Sequence, residues 1–254
     1  MELKGKSAIV TGSAVGVGRA TALALARRGA NVVVNYSRSE AEAKETAAEV
    51  ERLGARALLV RADVSRDAEV RSMVARAVEA FGTLDVLVNN AATTVFVSFA
   101  ELEQLTEEHW DRLLAVNLKG PFFCARAAAP HLKASGAGAI VNVASVAGIR
   151  AVGSSIAYAA SKAGLVNLTV ALARVLAPEV RVNCVAPGFI DTRWLRDGLG
   201  PLFEPLRQAT AQQTPLGRVS MAEDIAQVIL GLIESADFVT GQTVVVDGGN
   251  SIRP

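Results

Sequence analysis

Hydrophobic residues in this chain come as short β-branched runs, separated by longer stretches in which apolar positions recur every three or four residues. The runs are Ala8 to Thr11, Asn31 to Asn35, Ala57 to Val60, Val86 to Asn89, Ala139 to Val143, Arg181 to Val185 and Thr243 to Val246. Strands alternating with helices in this way predict an α/β fold, a doubly wound seven-stranded parallel sheet of Rossmann-like type with helices on both faces. The second and third runs, around Val32-Val33-Val34 and Leu58-Leu59-Val60, are apolar without alternation, which predicts interior strands covered on both faces.

The intervening stretches differ in their polar faces. From Ala68 to Phe81, Val70, Met73, Val74, Ala77, Val78 and Phe81 fall on one side while Glu69, Arg71, Arg76 and Glu79 face away, so one side packs on the sheet. Glu40 to Leu53 is far more charged, which reads as a solvated face. Ala163 to Ala177 carries a single charge, Arg174, and its apolar residues Leu165, Val166, Leu168, Val170, Leu172, Val175 and Leu176 lie all around it. A helix apolar on every side is expected to be buried on every side. One face covers the sheet, so the other predicts contact with a second subunit and a homotetramer, with the strand Thr243 to Val246 as a second contact. Between Gly188 and Leu216, Gly198, Gly200, Pro201, Pro205 and Pro215 break up an apolar segment, and an irregular substrate lid is expected there.

Composition narrows the classes. With 254 residues, 51% of them hydrophobic and 20% charged, residues 1–254 read as a single domain with ample core. The balance of 26 Lys+Arg against 25 Asp+Glu, with no basic stripe, removes the reason to expect nucleic acid as a partner. Val86 to Ala100 is too short and, with Asn89, Asn90, Thr93 and Thr94, too polar to span a bilayer, and Met1 to Lys6 has no apolar signal region. A cytoplasmic protein without a membrane partner is expected. Cys124 and Cys184 sit in apolar runs, as buried free thiols do, and His109 and His131 form no cluster with them, so no metal site is expected.

Two constellations carry chemistry. The first strand runs into Thr11-Gly12-Ser13-Ala14-Val15-Gly16-Val17-Gly18 and then a helix, Arg19 to Arg28, closed by Gly29. Glycines let backbone N–H groups approach a pyrophosphate, and the helix N-terminus adds about half a positive charge. Gly12, Ser13, Gly16, Val17 and Gly18 are therefore candidate cofactor residues, although the G-x-x-x-G-x-G spacing departs from the general G-x-G-x-x-G fingerprint. Asp63-Val64 after the third strand and Asn89-Asn90-Ala91 after the fourth stand where ligands bind in open α/β sheets. Asp63 suits an adenine amino group but would equally cap a turn, and the two asparagines would equally tie loops together. After the second strand the chain reads Asn35-Tyr36-Ser37-Arg38, with no acid to repel a 2′-phosphate. Arg38, aided by Ser37, would grip one, unless it is simply solvated.

The second constellation is Ser145, at the end of the fifth strand, with Tyr158 and Lys162 four residues apart on one helix face. A phenol with a reference pKa of about 10 exchanges protons poorly at neutral pH without a neighbouring positive charge, which Lys162 supplies. Ser145 would hydrogen-bond a substrate oxygen.

Together, Thr11 to Gly18, Asp63, Asn89-Asn90-Ala91, Asn117, Ser145, Tyr158-x-x-x-Lys162 and Pro187-Gly188 with Thr192 resemble the short-chain dehydrogenase/reductase family along the whole chain, in particular its 3-oxoacyl carrier-protein reductases. The resemblance implies that Tyr158 is the general acid/base, that Ser145 positions the substrate oxygen, and that Lys162 lowers the tyrosine pKa while holding the nicotinamide ribose. It further implies that Asn117 anchors a water relaying protons through Lys162, that Ile190 and Thr192 contact the carboxamide side of the nicotinamide, and that Pro187 and Gly188 belong to the cofactor site. Ala92 stands where the family usually has glycine, and Val15 where many NADP-specific members have a basic residue. The expected cofactor is NADP, with NAD as the alternative. The expected substrate is a small or medium apolar ketone, in a pocket walled by Phe189, Trp194, Leu195, Leu199, Phe203 and Leu206 and by Val95, Phe96, Val97 and Phe99. An NAD-linked alcohol dehydrogenase, a 3-oxoacyl carrier-protein reductase and a silent dinucleotide-binding sensor are the competing readings.

Overall fold

Each of the seven apolar runs forms a strand of one sheet: β1 (Ser7–Val10), β2 (Asn31–Tyr36), β3 (Ala57–Arg61), β4 (Val86–Asn89), β5 (Gly138–Val143), β6 (Val180–Pro187) and β7 (Thr243–Val246). In this computed structural model, which describes residues 1–252, the strand order is β3-β2-β1-β4-β5-β6-β7 and every pair is parallel. After β1 the chain moves outward through β2 and β3 and then returns to β4 on the other side of β1. The crevice opened by that reversal, beyond the carboxyl ends of β1 and β4, is where open α/β sheets bind ligands.

The helices are α1 (Gly16–Arg27), α2 (Glu40–Arg52), α3 (Asp67–Phe81), α4 (Glu107–Leu114), α5 (Gly120–Ala134), α6 (Ala147–Arg150), α7 (Ile156–Leu176), α8 (Arg193–Leu199), α9 (Phe203–Gln213) and α10 (Ala222–Glu234). Leu23, Leu25, Val50, Ile225 and Ile229 bring α1, α2 and α10 onto one face of the sheet, against Val32, Val34, Val86 and Val141. Met73, Val74, Cys124, Leu132, Leu172 and Leu176 bring α3, α5 and α7 onto the other face, against Ile9, Val33, Leu87, Ile140 and Val182. Both cysteines are buried and free.

Two expectations are corrected. β3 is an edge strand, not an interior one, with Ala57, Leu58 and Leu59 half-buried and Arg61 exposed. Its run is nonetheless continuously apolar because Ala57 and Leu59 pack into one core layer and Leu58 and Val60 into the other. Continuous apolarity reports that both faces are covered, not that both edges are paired. The segment after Gly188 is helical, with α8, a 3₁₀ turn at Gly200–Leu202 and α9 in place of an irregular lid. Pro201 and Pro205 fall in first helical turns, where a missing N–H interrupts nothing.

A further expectation concerns α7, one side of which lies open within the single chain, as contact with a second subunit would require. Ala160, Ala163, Asn167, Ala171 and Arg174 form an open strip, and Val175 is 67% exposed. The helix also starts earlier, at Ile156, where the Ser155 hydroxyl accepts the N–H of Tyr158 at 3.2 Å and caps it. By length and composition α7 is apolar enough to cross a membrane. Here it lies along β6 with Leu165, Leu172 and Leu176 buried.

Candidate active site

The turn after β1 folds as it does because Gly12, at φ +62°, reaches a left-handed conformation that side chains disfavour. A Cβ there would meet Ala91 Cα at 2.9 Å, and one at Gly18 would meet the Gly12 carbonyl at 2.4 Å. The turn is laced from below. Thr11 Oγ1 accepts the N–H groups of Asn90 (2.9 Å) and Ala91 (3.0 Å), and Asn90 Nδ2 donates to the carbonyls of Thr11 (2.9 Å) and Gly12 (3.0 Å). Asn35 Oδ1 accepts the Gly12 N–H at 3.0 Å while its Nδ2 donates to the carbonyls of Val60 and Ala62, so one buried amide ties together the ends of β1, β2 and β3.

Above this floor lies a cleft of about 370 Å³. Among the sequence-predicted cofactor residues, Gly12, Gly16, Val17, Ser37, Arg38, Asp63, Val64, Asn90, Ala91, Ile190 and Thr192 line it. Ser13 and Gly18 do not. Ser13 is fully buried, its hydroxyl donating to Val10 O at 2.7 Å and accepting from Asn35 N at 3.0 Å, and Gly18 supplies the space for the Gly12 carbonyl and the Asn90 amide. The first turn of α1 has no side-chain cap and no acid, so its free N–H groups and its dipole face the cleft unneutralised. That donor set fits a pyrophosphate.

Asp63 keeps its carboxylate occupied. Burial works against its charge, but hydrogen bonds from the Ser65 hydroxyl (2.7 Å) and N–H (2.9 Å), together with Arg112 at 3.4 Å, hold its pKa below the ordinary value. Asp63 closes a turn, and it also lines the cleft. Arg112 and Tyr36 line the cleft without having been anticipated. Arg112 arrives from α4, far along the chain, with no sequence signal to mark it. Asn35 carried one, as the polar residue that closes an apolar strand.

At the carboxyl end of β5 and the first two turns of α7, Ser145, Tyr158 and Lys162 converge on a second cavity of about 780 Å³. Burial pushes the Tyr158 phenol up to about 12, opposed by its hydrogen bond with Ser145. Lys162 is 2% exposed and donates to Val143 O at 2.8 Å, with Nζ 5.7 Å from the centre of the Tyr158 ring. Burial pushes its ammonium down to about 8. The site thus holds a protonated phenol beside a largely charged lysine at neutral pH, an arrangement that can donate a proton to a bound oxygen.

Asn117 belongs to a π-helical turn, Ala115–Lys119, that joins α4 to α5. Its amide donates to Thr93 O (2.9 Å) and to Ser161 Oγ (3.0 Å) and accepts Thr93 N–H (2.9 Å). The side chain therefore fixes the loop after β4 to the helix of Tyr158 and Lys162.

Pro187 and Gly188 line the second cavity rather than the first, and Ile190, Thr192 and Trp194 line both. Phe96, Val97, Phe99, Phe189, Leu195, Leu199 and Leu206 form apolar wall as anticipated, joined by Leu202 and Val152. Phe203 is instead buried behind the wall, 5.7 Å from the Phe189 ring and under the Arg196 guanidinium, and Val95 does not line the cavity. Each arginine of α8 has an acid, Arg193 pairing with Glu42 at 2.8 Å and Arg196 with Asp191 at 2.6 Å, and Arg207 of α9 pairs with Glu204 at 2.6 Å.

A family model described as enoyl-(acyl carrier protein) reductase matches residues 12–251. A Streptomyces violaceoruber protein named for a ketoacyl reductase role in the granaticin polyketide synthase is 46% identical over 242 residues, covering 95% of this chain and 94% of its own. The 3-oxoacyl-(acyl-carrier-protein) reductase FabG of Staphylococcus aureus is 39% identical, covering 96% and 97% of the two chains. A crystal structure from Burkholderia xenovorans, described as a short-chain dehydrogenase/reductase, superimposes with a TM-score of 0.92 at 34% identity and 98% coverage of both chains. Sequence and structure meet on one group of reductases across almost the full length, and the chain belongs to the short-chain dehydrogenase/reductase family.

Proposed function

We propose that this oxidoreductase, which transfers hydride between a nicotinamide cofactor and a ketone or secondary alcohol, works as an NADPH-dependent reductase of small or medium apolar ketones. The observation that carries this reading is the meeting of Ser145, Lys162 and half-buried Tyr158 on the wall of an apolar cavity of about 780 Å³, with the phenol pushed up to about 12 by desolvation. A phenol that burial keeps protonated suits the reducing direction, in which the product oxygen must gain a proton. Bound in the cleft, the cofactor would supply the hydride. Ser145 orients the carbonyl oxygen, Tyr158 gives it a proton, and Lys162 places a positive charge beside the phenol.

The preference for NADP rests on the rim of the cleft. Ser37 and Arg38 are exposed there, no carboxylate ends β2, and Arg38 makes no ion pair among the described residues. An arginine free of acids is ready to fork onto a 2′-phosphate. The relatives named as ketoacyl and 3-oxoacyl reductases favour a second reading, an acyl group on a carrier protein. Against it, Arg193, Arg196 and Arg207 are already paired with Glu42, Asp191 and Glu204, which leaves the lid little attraction for an acidic carrier.

The assembly is a homotetramer in this reading, supported by the open strip of α7 with Val175 and by Val245 and Phe238 near the unpaired edge of β7. A cytoplasmic location goes with it. The decisive assay compares kcat/KM for simple hydrophobic ketones with that for acetoacetyl groups on carrier protein, each with NADPH and NADH. A preference of tenfold or more for the carrier-bound substrate, worth about 1.4 kcal/mol, favours the second reading.

A further inference from the structure

We propose that Trp194 is a specificity-determining residue, whose indole sets the size of the group allowed next to the reacting carbonyl carbon. The inference rests on the reading of the larger cavity as the ketone site and names the part of it that selects among ketones.

Among the described residues, only Ile190, Thr192 and Trp194 line both the cofactor cleft and the larger cavity, so the point where the two spaces meet is built from this short segment. Of the three, Trp194 is the one that packs on the Tyr158 ring, with ring centroids 6.3 Å apart and planes at 73°. That is the edge-to-face geometry aromatic rings prefer. A carbonyl oxygen hydrogen-bonded to the phenol lies about 2.7 Å from it, which brings the carbonyl carbon and its first substituent atoms beside the indole. Trp194 is 44% exposed, so much of this apolar surface is available to a ligand.

The indole is also held in place. Arg193, its neighbour in α8, pairs with Glu42 at 2.8 Å, and one turn on Arg196 grips Asp191 through two hydrogen bonds of 2.9 and 2.6 Å. Leu206 and Thr210 line the same cavity from α9 and are set on a different helix from the one that meets Tyr158. Limits at the carbonyl and limits along the chain therefore arise from different helices.

The test uses the full chain with NADPH and two ketones of equal carbon number, one unbranched and one branched at the carbon beside the carbonyl. In Trp194→Ala the kcat/KM ratio of branched to unbranched ketone should rise at least tenfold over wild type, mainly through KM. Trp194→Phe, which keeps an aromatic ring, should stay near the wild-type ratio, and Leu206→Ala should alter tolerance of chain length without altering the branching ratio. Binding of an unreactive branched amide, followed by calorimetry on cofactor-loaded protein, should tighten in Trp194→Ala and supplies a readout independent of turnover. An unchanged branching ratio in both Trp194 variants, or equal losses of kcat for both ketones, overturns the proposal while leaving the ketone reading standing. Failure of wild type to reduce either ketone or to bind the amide removes the ketone reading and this proposal with it.

Discussion

Replacing Lys162 by methionine keeps the length of the side chain and removes its charge, and the structure predicts opposite effects on activity and stability. Burial lowers the ammonium from the ordinary 10.5 to about 8, so holding it charged in the fold at pH 7 costs about 3 kcal/mol. Methionine relieves that cost but leaves the buried Val143 carbonyl without the donor now at 2.8 Å, a loss of about 1–3 kcal/mol. The variant should therefore be as stable as wild type at pH 7 or up to about 2 kcal/mol more stable, which in a chain of this size raises Tm by at most roughly 8 °C. The sign depends on pH. A lysine whose folded pKa is depressed carries its full penalty below about pH 8 and sheds it as pH rises toward 10.5. Between pH 7 and pH 10 the advantage of the variant should fall by about 2 kcal/mol, leaving it level with or below wild type. Urea unfolding of both proteins at the two pH values, at one fixed protein concentration, measures this. Ketone reduction should meanwhile fall by about 10²–10³-fold, as it does when a preorganised electrostatic group is lost. A variant destabilised by the same amount at both pH values would refute the burial reasoning, and wild-type turnover would refute the role of the charge.

Tyr158→Phe should lower kcat by about 10²–10⁴-fold and leave NADPH binding near normal, because the ring and its contact with Trp194 survive while the transferable proton is lost. Titration of nucleotide fluorescence alongside steady-state kinetics checks both halves. Arg38→Ala should reduce kcat/KM for NADPH by roughly 10- to 100-fold, the worth of a charge-assisted hydrogen bond, with NADH untouched. An unchanged NADPH-to-NADH ratio, or a wild type that prefers NADH, argues for a solvated arginine instead. Light scattering at micromolar concentration should give four times the mass of one chain, and a monomer there would mean that the α7 strip and the β7 edge stay open to solvent.

The sheet was legible because its signal is local. Runs such as Val86 to Asn89 and Thr243 to Val246 reappear as strands with the same ends, since a short apolar run flanked by turn residues has few other ways to bury itself. The position of a strand within the sheet was not, because β3 has both faces covered at an edge and so looks interior. The lid misled for a related reason. Pro201 and Pro205 count as breakers by composition, yet a proline disrupts a helix only past its first turn, and sequence alone does not reveal where the turn begins. Tyr158 and Lys162 were readable from spacing, whereas the depth of Lys162 and its bond to Val143 O depend on how α7 lies against β5 and β6. The locks on the cofactor turn were the least visible part. Ser13 reads as a ligand residue and proves to be a tie between strands, because a small hydroxyl in a glycine turn serves either purpose.

The surroundings of Gly198, within α8, bear on how this enzyme can be rebuilt. A Cβ at that position would sit 2.0 Å from the Phe96 ring, so the lid helix rests on that ring through bare backbone. A side chain at 198 would push the Phe96 ring aside, toward the solvent it already meets, and a smaller residue at 96 would thin the surface under α8. Chimeras that import a relative's 188–216 segment to gain its substrates should then work best when the 94–99 loop travels with it, since the two meet through this contact.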